Sequence, residues 1–173
     1  MPAITRARLA HRPSSVLYLD VDNFKQLNDR YGHDFGDCVL NRVADNLRSV
    51  CGDDAIIARF GGDEFVILFP GSELAVVRDT ALRIQQLAHD RNAGEEDAIA
   101  TVSIGIAECD SNEILPDTIR RADLALLQAK ASGRDRVQIA QSVSTSNQDG
   151  DLPETWEVLE PPRFSTTSSS GNF

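Results

Sequence analysis

The chain has 173 residues and a formal net charge of −10 at pH 7, a length that fits one domain with a tail. This negative charge argues against binding to a nucleic-acid polymer or to an anionic membrane surface. No apolar run approaches the roughly 20 residues of a membrane span, and the first residues lack the apolar region of a secretory signal. Cys38, Cys51 and Cys109 lack a metal-type spacing and are typical of reduced, partly buried side chains in a cytoplasmic protein.

Composition divides the chain into three segments. Residues 1–13 are short and basic, residues 14–140 carry strand-like and helix-like apolar patterns, and residues 141–173 are rich in Ser, Thr, Asn, Asp and Pro. We expect the last segment to be mostly disordered, because it buries too little apolar surface to offset the entropy of ordering. Its apolar cluster, residues 155–159, either is incidental or docks back on the domain or on a partner, and the sequence favours the first interpretation.

The first part of the domain predicts a strand and two helices. The apolar run 16–19 is typical of a central strand, and Asp20 follows it directly. Residues 24–31 have helical spacing, and Asp22 or Asn23 is expected to cap this helix. Asp22 either lies on the same face as Asp20, if the strand continues, or serves as the cap, which we favour. A second helix, with its apolar residues along one stripe, is expected to begin near Gly36 and Asp37 and to end near Val50.

A β-hairpin is predicted around Gly61-Gly62-Asp63-Glu64. Apolar runs at 55–58 and 65–69 flank this stretch, and adjacent glycines tolerate the positive φ of a tight turn. Both carboxylates lie just past the turn, where neither has to enter the core. Placing them together costs repulsion and desolvation unless a cation or a donor compensates. Taken alone, these four residues are equally compatible with an ordinary polar turn.

The second half of the domain continues the alternation of helices and strands. A helix over 73–89, a strand over 99–107, a helix over 116–131 and a strand over 136–140 are predicted. The complete order is strand, helix, helix, strand, strand, helix, strand, helix, strand. This order predicts an α+β sheet with helices packed on it.

Acidic residues at a strand end and at a hairpin turn meet if the two strands are neighbours in one sheet. Asp20 and Asp63 are therefore the leading candidates for ligands of a hard divalent cation, which prefers oxygen. Two such ions about 3.5 to 4 Å apart are the usual apparatus for in-line displacement at phosphorus. The pattern indicates a site for phosphoryl or nucleotidyl transfer.

The sequence resembles the GGDEF domains, the diguanylate cyclases that join two GTP molecules into cyclic di-GMP. The full signature is present as Gly61-Gly62-Asp63-Glu64-Phe65. Other blocks match in order and in approximate spacing: Asp20-Val21-Asp22-Asn23-Phe24-Lys25, Asn28-Asp29, Gly32-His33, Gly36-Asp37, Ser103-Ile104-Gly105, Ala122-Asp123, Ala129-Lys130 and Gly133-Arg134. The resemblance covers residues 14–140 and implies a palm-like, ferredoxin-related fold, a central antiparallel sheet flanked by helices, as in class III nucleotidyl cyclases.

Two stretches depart from the family pattern. The usual Asp-x-Leu-Thr motif and Asn-Arg pair at the N-terminal edge are reduced to a remnant at residues 5–9, so this edge is short relative to the family. Many members also carry an Arg-x-x-Asp product-binding site shortly before the signature, where this chain has Gly52-Asp53-Asp54-Ala55. We therefore expect no product inhibition through that site.

The resemblance implies two divalent ions per active site, Mg²⁺ or Mn²⁺. Their ligands would be Asp20, the Val21 carbonyl, Asp63 and Glu64. Glu64 either binds metal or lies near the attacking hydroxyl, and the sequence leaves both roles open. With Asp63 and Glu64, the family pattern makes Lys25 a catalytic residue that stabilises the transition state.

The resemblance also implies the contacts to GTP, which are Phe24, Asn28, His33, Asp37, Gly61, Gly62, Lys130 and Arg134. Asn28 and Asp37 are the expected guanine readers, because one carboxylate can accept from both donors on the edge of guanine. Without the family, Asn28 is a polar residue at a helix end and Asp37 an N-cap. Lys130 and Arg134 reach one phosphate if their helix extends that far, and they also suit a helix C-terminus as macrodipole partners.

The resemblance implies that each domain holds one GTP and that two domains must face each other. We therefore expect an active diguanylate cyclase that works as a homodimer. The alternative is a catalytically silent, GTP-binding GGDEF domain that acts as a signalling or interaction module, which the short N-terminal edge favours. A class III cyclase with a single-nucleotide product shares the fold, but the Asn28, Asp37 and GGDEF blocks argue against it. The family pattern is compatible with an upstream sensor as a further partner.

Overall fold

The computed structural model describes residues 12–90, 100–110, 112–141 and 157–158. Six strands are found in this part of the chain: β1 Ser14–Val21, β2 Ile56–Arg59, β3 Glu64–Pro70, β4 Val102–Glu108, β5 Val137–Ile139 and β6 Glu157–Val158. The helices are α1 Phe24–Tyr31, α2 His33–Val50, α3 Leu74–Asp90 and α4 Leu115–Ala131. The strands form one sheet in the order β5-β4-β1-β3-β2-β6. The predicted α+β architecture is confirmed.

β1 is the central strand of this sheet. It pairs antiparallel with β3 on one side and with β4 on the other, and all eight of its residues are buried. β5 joins the far edge of β4 in parallel, so the antiparallel centre carries one parallel strand. A central strand covered on both faces reads as a continuous apolar run, which is why the sequence revealed it.

Alternate residues of β1 point to opposite faces of the sheet. Leu17, Leu19 and Val21 belong to the larger apolar cluster, which also includes buried side chains of α1, α2 and α3. Val16 and Tyr18 belong to a second, smaller cluster, which α4 covers with Ile119, Ala122 and Leu126. We call these the α1–α3 face and the α4 face.

α4 packs closely on the sheet at Gly105 of β4. A Cβ atom at this position would lie 2.0 Å from the Ala122 carbonyl oxygen and 2.4 Å from the Leu126 nitrogen. These are main-chain atoms of α4, so a larger residue would displace the helix itself. Gly105 therefore sets the height of α4 above the sheet, opposite Tyr18 of β1.

Two local predictions were wrong. α2 begins at His33, not near Gly36, and Gly36 is buried inside the helix. Gly32, with a φ of +88°, ends α1 and precedes α2. The β2–β3 hairpin is confirmed, but the positive-φ glycines lie elsewhere, so Gly61 and Gly62 do not serve the turn in that way.

Part of the predicted tail contacts the sheet. β6 pairs antiparallel with the edge strand β2, with Val158 opposite Ala58 and Glu157 opposite Arg59. This part of the 155–159 cluster thus docks on the domain, against the favoured interpretation that it is incidental. Residues 1–11, 142–156 and 159–173 lie outside the described residues, so the short N-terminal segment and the disordered tail stay predictions.

Two further sequence predictions concern side chains and helix length. Cys51 and Cys109 are partly buried as expected, whereas Cys38 is exposed on α2. Among the helices that the structure describes, none has the length and apolar character needed to cross a bilayer.

Candidate active site

The pairing of β1 with β3 brings the predicted carboxylates together. Asp20, near the end of β1, lies directly opposite Glu64, the first residue of β3. The Asp63 carbonyl accepts a hydrogen bond from the Val21 N–H at 3.2 Å, which continues the pairing into the turn. The predicted meeting of a strand end with a hairpin turn is therefore found.

Asp20 is a buried carboxylate with a cationic partner. Its Oδ2 lies 2.8 Å from Nζ of Lys130, in the last turn of α4. Burial is the main reason that the pKa of Asp20 is raised to about 6; the Lys130 ammonium opposes this shift, and the charges of Asp63 and Glu64 add to it. The Lys130 ammonium therefore partly compensates the negative charge of the carboxylates at this end of the sheet.

Glu64 is held between Tyr18 and Gly61. The Tyr18 hydroxyl donates to Oε2 of Glu64 at 3.3 Å, and the Tyr18 ring is buried with its centroid 5.6 Å from that of Phe60. A Cβ atom on Gly61 would lie 2.7 Å from the same Oε2, so the glycine leaves room for the carboxylate. Burial first, and the neighbouring Asp63 second, raise the pKa of Glu64. Tyr18 is not among the predicted site residues, although its position two residues before Asp20 puts it on the same face.

These side chains suit a hard divalent cation by their chemistry. Carboxylate and carbonyl oxygens are the ligands that Mg²⁺ and Mn²⁺ prefer. Burial first, and repulsion between neighbouring carboxylates after it, raise the pKa values of Asp20 and Glu64, so a bound cation would stabilise their charged forms. Within the described part of the chain, no three His, Cys, Asp or Glu side chains converge closely enough to form a metal site as they stand. A cation bound at Asp20 Oδ2 would compete with the Lys130 ammonium.

A second group of predicted residues lies on α1 and α2. The Asn28 Oδ1 atom is buried and has no hydrogen-bond partner among the residues that the structure describes. A Cβ atom on Gly36 would lie 1.9 Å from this oxygen and 3.1 Å from Cζ of Phe24. An unpaired buried acceptor costs about 1–3 kcal/mol, so this arrangement is typical of a place where a ligand donates.

The remaining predicted nucleotide contacts on these helices are exposed. Lys25 lies in the first turn of α1, and His33 is the first residue of α2. Asp37 follows Gly36 inside α2, so its interpretation as an N-cap is wrong. Its exposed carboxylate is free of the capping role that would compete with ligand binding.

Arg134 does not lie on α4. The helix ends at Ala131, with Ser132 as its C-cap, and Arg134 has a φ of +60° in the loop that follows. The helix therefore does not extend far enough to place Lys130 and Arg134 on one helix face, which was the condition of that prediction. Lys130 pairs with Asp20, and Arg134 is exposed.

Asp22 is not a helix cap. The N-cap position of α1 is Asn23, and the Asp22 carboxylate accepts hydrogen bonds from Thr101 and Ser103 of the β4 region and from the Asp135 main-chain N–H. These partners lie 79 to 113 residues away in the chain. No local sequence pattern could have indicated them.

Sequence comparison identifies relatives over most of the described domain. A family model for "Diguanylate cyclase, GGDEF domain" matches residues 2–136. Diguanylate cyclase VdcA of Vibrio cholerae is 38% identical over 128 residues, which are 71% of this chain and 38% of VdcA. The chain spans less than two fifths of the length of the first curated relatives that it matches.

Solved structures share the fold. The active GGEEF domain of a diguanylate cyclase from Vibrio cholerae matches with a TM-score of 0.77 and 32% identity, over 82% of this chain and 91% of that chain. The GGDEF domain of DgcB from Caulobacter crescentus, solved in complex with c-di-GMP, matches with a TM-score of 0.75 and 34% identity, over 81% of this chain and 85% of that chain. The palm-like fold of the nucleotidyl cyclases is confirmed, and the chain belongs to the GGDEF domain family of diguanylate cyclases.

Proposed function

We propose that this domain is a diguanylate cyclase, which condenses two GTP molecules into cyclic di-GMP and releases pyrophosphate. The observation that carries the proposal is that the buried Asp20 carboxylate lies across from the partly buried Glu64, beside the Lys130 ammonium. In the reaction, the 3′-hydroxyl oxygen of one GTP loses its proton and bonds to the α-phosphorus of the other. The bond from that phosphorus to pyrophosphate breaks, and the exchange occurs twice.

Asp20, the Val21 carbonyl, Asp63 and Glu64 would hold two divalent ions, Mg²⁺ or Mn²⁺. When bound, such ions lower the pKa of the attacking hydroxyl and neutralise charge that develops on the phosphate. The protein contributes a partly buried position, in which electrostatic interactions are stronger than in water. The Tyr18 hydroxyl orients Glu64 for either of its roles, as metal ligand or as neighbour of the attacking hydroxyl.

The base of GTP is read by α1 and α2 in this proposal. Asn28 Oδ1, which is buried without a partner in the described chain, accepts a hydrogen bond from the guanine edge, and Asp37 accepts from the paired N–H and amino donors. The remaining nucleotide contacts are those with Phe24, His33, Gly61 and Gly62.

Three basic residues act on the phosphates. Lys25 stabilises the transition state, and Lys130 and Arg134 bind the triphosphate. Lys130 pairs with Asp20 at 2.8 Å, so its ammonium exchanges a carboxylate for a phosphate oxygen when GTP enters. The Lys130 ammonium is therefore paired with an anionic group both before and after GTP binds.

One domain holds one GTP, so the proposed reaction requires a homodimer in which two sites face each other. We place this reaction in the cytoplasm, where GTP is available as the substrate. The chain matches only part of its curated relatives, and an upstream sensor is the partner that would bring two domains together.

A second candidate function is a GTP-binding domain that makes no product and signals through a partner. One observation favours it: the Lys130 ammonium lies 2.8 Å from Asp20, the carboxylate that would otherwise bind metal. In that case the carboxylates stabilise α4 through Lys130 instead of holding metal.

Product analysis distinguishes the two candidates. The purified protein is incubated with GTP and MgCl₂, and the products are separated by chromatography and identified by mass spectrometry. The cyclase proposal predicts cyclic di-GMP with two pyrophosphates per product. A folded protein that binds GTP but yields no cyclic di-GMP at any protein concentration would overturn it and favour the binding module.

A further inference from the structure

Asp22 is the most deeply buried carboxylate at the end of β1, with a relative exposure of 3%. Oδ1 accepts from the Ser103 hydroxyl at 2.7 Å, and Oδ2 accepts from the Thr101 hydroxyl at 2.7 Å and from the Asp135 main-chain N–H at 3.0 Å. Hydrogen bonds to a carboxylate are among the stronger ones in proteins. Asp22 thus joins three segments: the end of β1, β4 and the loop between α4 and β5.

The loop that Asp22 contacts has an unfavourable backbone conformation. Arg134 and Asp135 have φ values of +60° and +47°, in the left-handed region that costs free energy for residues with a side chain. Two such residues in succession persist only when neighbouring groups hold them. The conformation of this loop therefore depends on the neighbouring groups that hold it in place.

These anchors converge on Asp135. Its N–H donates to Asp22, its carbonyl accepts from Gln85 at 2.6 Å, and its carboxylate lies 2.6 Å from Nε2 of His89. Gln85 and His89 belong to α3, so the loop is held from the sheet on one side and from a helix on the other. Of these contacts, only the one to Asp22 leads directly to the segment that carries Asp20 and Val21.

Arg134 depends on this loop for its direction. Its N–H donates to the Ala129 carbonyl at 3.1 Å, while its side chain is exposed. The direction of the Cα–Cβ bond of Arg134 is consequently determined by the main chain on either side of it. Asp22 holds one of these neighbours, Asp135, in place.

We propose that Asp22 is a positioning residue for GTP binding, which holds the main chain of Asp135 so that Arg134 is directed at the phosphates. The inference rests on the assignment of Arg134 to phosphate under the proposed function. Asp20 and Asp22 then have different roles at the end of the same strand. Asp20 faces the reacting groups, and Asp22 orients a basic residue that is 112 positions away in sequence.

A double-mutant cycle on nucleotide affinity tests this. The probe is 3′-deoxy-GTP with MgCl₂, which lacks the attacking hydroxyl and so binds without condensing, and calorimetry gives its Kd. We expect Arg134→Ala to weaken binding about tenfold, the effect of losing one charge-assisted contact. Asp22→Ala should weaken it by a similar factor, and the double variant should bind within about twofold of Arg134→Ala, because both changes remove the same contact.

Ser103→Ala is the matched control. It removes one hydroxyl donor from the same carboxylate but leaves the bond from Asp135 in place. We expect a lower Tm with a change in Kd of less than about twofold. If Asp22→Ala fails to fold, Asp22→Asn replaces it in the test, since asparagine keeps the size of the side chain and one acceptor oxygen. We expect Asp22→Asn to weaken nucleotide binding about threefold, and this effect should vanish when Arg134→Ala is also present.

The outcomes separate this inference from the proposed function. Unchanged affinity in Arg134→Ala would overturn both the phosphate role of Arg134 and the role of Asp22. If Arg134→Ala weakens nucleotide binding but Asp22→Ala binds as tightly as the wild type, the positioning role alone is overturned. The same conclusion follows if the effects of the two substitutions on affinity add in the double variant. A loss in Ser103→Ala as large as that in the Asp22 variant would also overturn it, because the effect would then belong to the buried network as a whole.

Discussion

The two faces of the sheet are built from the same strands but differ in what they bury. The α1–α3 face of β1 is apolar from Leu17 to Val21. The α4 face begins with Val16 and Tyr18 and then becomes charged, with Asp20 bound to Lys130. Because side chains alternate along a strand, one strand contributes to the apolar core on one side and to the candidate site on the other. Changes on the two faces should therefore have separable effects.

The largest expected effect belongs to the charged end of the hairpin. Asp63→Ala and Glu64→Ala should each lower turnover by at least about 10³-fold, since groups that stabilise developing charge supply effects of this size. The free energy of unfolding should change by less than about 1 kcal/mol, because both residues lie outside the apolar clusters. Turnover is measured as cyclic di-GMP formed per mole of protein, and stability by urea titration.

Glu73→Ala is the matched control for these two variants. Glu73 is an exposed acidic residue just beyond the other end of β3, so its removal should leave both turnover and stability unchanged. Turnover retained by either hairpin variant would remove that residue from the catalytic group.

A pair of neighbouring β4 residues compares the faces directly. Gly105→Ala would place Cβ 2.0 Å from the Ala122 carbonyl oxygen, so α4 must shift, at a cost of about 3 kcal/mol in unfolding free energy. The shift also moves Lys130 relative to Asp20, so turnover should fall. Ile104→Val on the α1–α3 face should cost about 1 kcal/mol and leave turnover per folded molecule unchanged. Equal losses of turnover in both variants would contradict the division between faces.

The Glu113–Arg121 pair should make the anchoring of α4 pH-dependent. The side chains are 14% and 12% exposed and lie 2.6 Å apart. Burial alone would raise the pKa of Glu113, but hydrogen bonds from Arg121 and Thr118 outweigh it and lower the pKa. The folded pKa then lies below the ordinary value of 4.5, so the stabilisation is complete above pH 4.5 and is lost as the pH falls through the folded pKa.

Glu113→Gln tests this stabilisation. At pH 7 the variant should be less stable than the wild type by about 2 kcal/mol, and the difference should shrink as the pH is lowered to about 3. Urea titrations of both proteins across this range measure the difference. A deficit that stays constant with pH would show that the ionised form of Glu113 is not what anchors α4.

The smallest expected effect concerns the boundary between the apolar and charged parts of the α4 face. Tyr18→Phe keeps the ring against Phe60 and removes the hydroxyl that donates to Glu64. Turnover should fall about fivefold, equivalent to about 1 kcal/mol for one long hydrogen bond, with little change in Tm. A loss as large as that of Glu64→Ala would mean that Tyr18 acts on the substrate itself and not through Glu64.

The sequence predicted the parts of the site that neighbouring strands bring together. Asp20 could be expected to meet the hairpin carboxylates, with Asp63 as its leading partner, because an apolar strand ending in a carboxylate and a hairpin carrying others are local patterns. The register places Glu64 directly opposite Asp20. The predicted start of α2 near Gly36 is wrong because this glycine is a buried helix residue that leaves room for Asn28 Oδ1 and not a helix boundary. A close approach of this kind leaves no periodic signal.

Contacts between distant segments could not be predicted in this way. The Lys130–Asp20 pair and the bond from Asp135 to Asp22 join the last part of the domain to its first strand. Both depend on the height of α4 and on the left-handed loop after it, which packing and anchors determine. The types of the site residues were readable from the sequence, but the partners that orient them were not.

The most direct test of the account is the activity of the domain as a function of its oligomeric state. The protein is diluted through the range in which light scattering shows dimers dissociating into monomers, and cyclic di-GMP formed from GTP and MgCl₂ is measured at each concentration. If two charged hairpin ends must face each other, turnover per mole should fall in parallel with the dimer fraction. Turnover per mole that stays constant into the monomeric range would contradict the account.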